Sequence, residues 1–160
     1  MKKQYLLKKL FIFFCSFTIL FAKQPDFLIH YHPHQNAKEL VQSKEKSSLT
    51  YKQIMKEFGK AYYMVQEGII NQDKSLIRIG IEKIQNHPSS KNNPWNIVKK
   101  EDVPAFKESL LYYDEQLHKS AFEIEELLET DDWTTINNNI FKLSNHCINC
   151  HIAWKDNLKN

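Results

Sequence analysis

Apolar positions recur at helical spacing through four long stretches of this chain, with polar residues on the opposite faces. In the first, residues 47–70, Tyr51, Met55, Phe58, Tyr62, Val65 and Ile69 step alternately by four and three, the seam of left-handed helix packing. Asn71-Gln72-Asp73 reads as a turn, with Asp73 as N-cap of a second helix that runs to His87. That helix is apolar at Leu76, Ile77, Gly80, Ile81 and Ile84. Residues 88–103 break the pattern with two prolines, paired serines and asparagines and a charged stretch, and Pro104 suits the first turn of a third helix. The third helix, to Glu129, carries Phe106, Leu110, Tyr113, Leu117, Ala121, Ile124 and Leu128 on one face. Thr130-Asp131-Asp132 then supplies a turn and cap for a fourth, residues 133–155, whose seam is Ile136, Ile140, Leu143, Cys147, Cys150 or His151, and Trp154. With only three glycines and no period-two alternation, the expectation is all-α: an antiparallel four-helix bundle over residues 47–160.

The N-terminal stretch reads differently. Lys2, Lys3, Lys8 and Lys9 precede an apolar run, residues 10–22, interrupted only by Cys15, Ser16 and Thr18. This is the pattern of a secretory signal, shorter than a comfortable bilayer span, with cleavage expected after Ala22. Leu20 departs from the small residue preferred three positions before cleavage, so an uncleaved anchor is the alternative. Residues 23–46 hold two prolines and no sustained periodicity, and read as an extended or mobile leader. The whole chain has 22 basic and 19 acidic side chains; without the four signal lysines the balance is 18 to 19, a net charge of −1. The basic excess therefore belongs to the signal, and nothing points to nucleic acid.

Export changes the meaning of the motif Cys147-Ile148-Asn149-Cys150-His151. On a helix, residues three apart share a face, so two thiols can reach the two vinyl groups of one porphyrin. His151 then places an imidazole beneath the iron as proximal ligand. A zinc half-site lacks a second cysteine pair, and a thioredoxin-like pair calls for a βαβ setting and a helix N-terminus that lowers thiol pKa. The motif therefore points to one covalently bound haem c. The cysteines fall on the inward seam of the last helix, where a bundle would bury a cofactor.

An exported four-helix pattern with this motif late in its last helix resembles the cytochrome c′ family, over roughly residues 47–158. The most specific segment is Cys147-Ile148-Asn149-Cys150-His151-Ile152-Ala153-Trp154-Lys155, with Trp154 where Tyr or Phe is usual and Lys155 in place of arginine. A second match, Ile54-Met55-Lys56-Glu57-Phe58-Gly59-Lys60-Ala61, is similar to the segment that carries the distal methionine in low-spin members. The resemblance implies a periplasmic electron carrier whose iron is held by His151 and Met55 and which meets redox partner proteins. The alternative it implies is a five-coordinate, high-spin protein that binds a small gas such as nitric oxide. Homodimers are a further possibility. No enzymatic activity is expected, since one haem motif and no distal acid–base pair are present.

Periodicity by itself leaves Met55 open between a core-filling thioether and an iron ligand. Tyr51, one turn earlier, is its rival on the distal side or a packed aromatic. Gly59 reads as a site of close helix or porphyrin approach, and Trp95 and Trp133 as plugs at the bundle ends. His87 and His118 read as exposed and His146 as a rim residue. His30-x-His32-x-His34 reads as polar leader, with metal binding as the sharper alternative.

Overall fold

The structure is a computed structural model, and residues 34–159 are described. The signal region, residues 1–22, lies outside them, as do His30 and His32.

Five α-helices make up the described chain: α1 Ala37–Ser43, α2 Tyr51–Asn71, α3 Lys74–Gln85, α4 Val103–Leu127 and α5 Trp133–Trp154. The all-α expectation holds, with isolated bridges at Lys46–Ser89 and Val98–Leu158 and no strand among the described residues.

Local chemistry sets the helix ends. Thr50 and Gln53 form a reciprocal capping box, which starts α2 at Tyr51 rather than at residue 47. Gln72, at φ 55°, ends it in the left-handed region, and Asp73 Oδ1 accepts from the amides of Ser75 and Leu76 at 2.9 and 3.1 Å to open α3. Asp132 does the same for α5, accepting from the Thr135 amide at 3.0 Å. Pro104 sits in the first turn of α4, as its missing N–H allows.

Helices α2 and α3 pack along their length, as do α4 and α5, while α3 meets α4 and α5 meets α2. The dry core lies towards the α2–α3 and α4–α5 turns: Val65, Ile69, Ile77, Ile81, Ile84, Ala121, Ile124, Leu128, Ile136, Ile140 and Leu143. Two glycines bring α2 and α3 together. A Cβ on Gly80 would stand 2.8 Å from the Ala61 carbonyl oxygen, and one on Gly68 would stand 2.9 Å from the Asp73 carbonyl oxygen.

Residues 37–43 correct the leader expectation. They form α1, capped by the Asn36 side chain at the amides of Lys38 and Glu39, and it packs on α4 with Ala37, Leu40 and Val41 buried. A seven-residue helix carries too few apolar positions to show a period, so no sustained signal appears there. Beyond α1, residues 44–49 run beside the connection after α3. Ser47 N–H donates to the Ser89 carbonyl at 3.1 Å, and Ser89 N–H to the Glu45 carbonyl at 2.8 Å. The long connection is itself ordered by 3₁₀ turns at Pro94–Ile97 and Lys100–Asp102 and by the buried Val98.

Candidate functional site

The apolar seams do not stay dry along their whole length. Val65 and Ile69 of α2, Ala121, Ile124 and Leu128 of α4, and Ile136, Ile140 and Leu143 of α5 are fully packed. Away from the turns, the same seams open. Tyr51, Met55, Phe58 and Tyr62 from α2, Leu110, Tyr113 and Leu117 from α4, and Cys147, Cys150 and His151 from α5 all line one cavity of about 570 Å³. Side chains fill one end of the helix assembly and leave room at the other. That volume falls in the range of small-molecule and cofactor sites, and its walls are mainly apolar and aromatic.

The motif residues reach this cavity as the last two turns of α5. Cys147 and Cys150 are half-buried, one turn apart, while His151 is largely exposed but still borders the cavity. Burial pushes the Cys150 thiol up to about 11, with Cys147 adding to the effect, and burial raises Cys147 as well. Both are protonated thiols at neutral pH. A thiolate-based redox pair would sit at a helix N-terminus with its pKa lowered, so this setting does not fit that chemistry. Among the described residues, no third cysteine, histidine or carboxylate gathers with the two thiols as a metal-ligand group.

Met55 lines the cavity from α2 and is half-buried, not sealed into the core. Tyr51, one turn before it, faces the same space. Its ring meets Phe106 edge-on at 6.3 Å, and Phe106 meets Trp154 at 5.1 Å. This aromatic row ties α2, α4 and α5 together beside the cavity. Burial raises the Tyr51 hydroxyl pKa, with the Cys150 thiol and the Asp114 carboxylate adding to the shift. Gly59 also borders the cavity, and a Cβ built on it would meet nothing within 4 Å. Its role is therefore not close helix approach.

The residues present suit a flat apolar cofactor joined through two thioethers. Paired thiols and an imidazole stand on one wall, a thioether stands on the α2 wall, and the space between is lined by rings and aliphatic side chains. His146 lines this cavity too and is half-buried. Trp133 packs on the core, and Trp95 lies under Lys107 Nζ, 4.4 Å from its ring centre.

His87 and His118 correct the expectation of exposed side chains. They gather with Asp114 and Lys44 at the cavity edge, with side-chain exposures of 12% for His87, Asp114 and Lys44 and 16% for His118. The sequence signal that could have found them is Asp114-x-x-x-His118, one face of one helix. His87 and Lys44 lie just beyond helix ends and carry no such signal.

No family model, curated protein or solved structure matches this chain. No helix among the described residues is long and apolar enough to cross a membrane.

Proposed function

We propose that this protein is an exported, periplasmic monohaem c-type cytochrome that carries electrons, built on an antiparallel four-helix bundle formed by α2 to α5. The observation that carries the reading is that Cys147, Cys150, His151 and Met55 all border one apolar cavity of about 570 Å³.

In this reading Cys147 and Cys150 would hold haem c to α5 through two thioethers, and His151 would supply an imidazole nitrogen to its iron. Haem c supplies an iron that alternates between ferric and ferrous states. Met55, from α2, would supply a thioether sulfur to that iron, which would favour the reduced state and raise its potential. Phe58, Leu110 and Leu117 keep water from that iron and lower the local dielectric. The redox partners are other proteins that approach the half-exposed motif edge.

Tyr51 supports the second reading, a five-coordinate protein for a small gas such as nitric oxide, because it borders the same cavity one turn from Met55. Absorption spectra of the ferric and ferrous holoprotein separate the two. The carrier gives low-spin bands unmoved by carbon monoxide, and Met55→Ala converts them to high spin with a carbon monoxide response. High-spin bands in the unmodified chain, shifting with carbon monoxide, would replace the carrier with the gas binder.

A further inference from the structure

A second group of side chains has the composition of a metal site and takes no part in haem attachment. His87 Nε2, an Asp114 carboxylate oxygen and His118 Nε2 lie within 4.8 Å of one another. Asp114 and His118 are one turn apart on α4 and face the same way, and His87 reaches them from just beyond α3. His87 Nε2 is 2.9 Å from Asp114 Oδ1, and His118 Nε2 is 3.7 Å from Asp114 Oδ2. Behind His87, the Pro88 carbonyl oxygen lies 3.2 Å from Nδ1. A proton on Nδ1 donates there and leaves the Nε2 lone pair facing inward, the outer-shell arrangement typical of a metal-bound histidine.

Lys44 occupies the middle of the group. Its Nζ is 2.6 Å from His87 Nε2, 3.1 Å from Asp114 Oδ1 and 3.5 Å from His118 Nε2. With Lys44 ionised, no placement of the His87 proton satisfies every contact. A proton on Nε2 points at the ammonium, whereas a lone pair there faces the carboxylate lone pairs at 2.9 Å. A metal ion in place of the ammonium would turn all three lone pairs into ligand bonds.

We propose that His87, Asp114 and His118 form a non-haem site for a borderline divalent transition cation of the Zn²⁺ class, with Lys44 as a displaceable occupant. Two imidazoles and one carboxylate suit such a cation better than Ca²⁺ or Mg²⁺, which prefer all-oxygen shells. Lys44, His87 and Asp114 also border the main cavity.

The test is calorimetric titration of the full-length holoprotein with Zn²⁺ after chelator treatment, with metal content measured after dialysis. The site predicts one Zn²⁺ per chain, weakened at least tenfold by His118→Gln and by Asp114→Asn, and tightened by Lys44→Met. Circular dichroism of each variant confirms that its helices are intact. The absence of stoichiometric uptake by the unmodified chain, or equal uptake by the His118→Gln and Asp114→Asn variants, would overturn the proposal. Because none of its ligands belongs to the haem motif, the haem reading and the metal site stand or fall separately.

Discussion

Lys44 Nζ lies 3.1 Å from Asp114 Oδ1, an ion pair with both side chains 12% exposed that ties the end of α1 to the middle of α4. The pair is shielded enough that removing one member leaves the other charge poorly solvated. In chelator-treated protein, Lys44→Ala is expected to cost about 3 kcal/mol, read from urea unfolding. The same variant should raise amide exchange at Leu40 and Val41, because α1 loses its polar anchor. A cost under about 0.5 kcal/mol, the size of an exposed pair, would mean that the contact is solvated in solution.

Gly80 and Gly59 should respond in opposite directions to alanine. At Gly80 a Cβ would meet Val65 Cγ2 at 2.7 Å and the Ala61 carbonyl oxygen at 2.8 Å, so Gly80→Ala forces α2 and α3 apart. The expected loss is about 1–3 kcal/mol. Gly59→Ala meets open space and gains the helix propensity of alanine, about 0.5–1 kcal/mol in haem-free protein. Thermal melts of the two variants check the contrast.

Stability should rise with pH between about 4 and 6.5 in metal-free protein. Burial lowers His118 from 6.5 to about 4, against the attraction of Asp114 and with Lys44, His87 and His34 adding to the lowering. The unfolded chain therefore binds a proton in that window that the folded chain does not, and the slope of unfolding free energy against pH is positive. At 1.36 kcal/mol per pH unit the span is roughly 3 kcal/mol. Below it, the loss passes to Asp114. Its carboxyl sits well below the usual range because its contacts with His87, Lys44 and His118 outweigh burial. Denaturation at stepped pH, with His118→Gln flattening the slope, checks the assignment.

The four long helices and their joints were legible because capping residues and three-four spacing are local signals. Asp73 and Asp132 cap where their side chains suggested, and Pro104 falls in a first turn. What the seams could not say was where they stop being core. Met55 and Ile69, two heptads apart, occupy the same seam position, yet Ile69 is buried and Met55 borders the cavity. Only the packing of neighbouring helices decides which part of a seam is filled. The polar group at Lys44, His87, Asp114 and His118 was hidden for the same reason. Its members are far apart in sequence and, apart from Asp114 and His118, share no helix face.

Intact mass of the purified chain after acid–acetone extraction reads directly whether haem is held covalently at Cys147 and Cys150. The chain is to be expressed with export in a host that matures c-type cytochromes. One haem per chain is expected to be retained through extraction, with a reduced pyridine haemochrome spectrum of the thioether type. A Cys147→Ser, Cys150→Ser double variant should release all of it. An exported, folded chain whose mass carries no haem would show that Cys147 and Cys150 do not hold one.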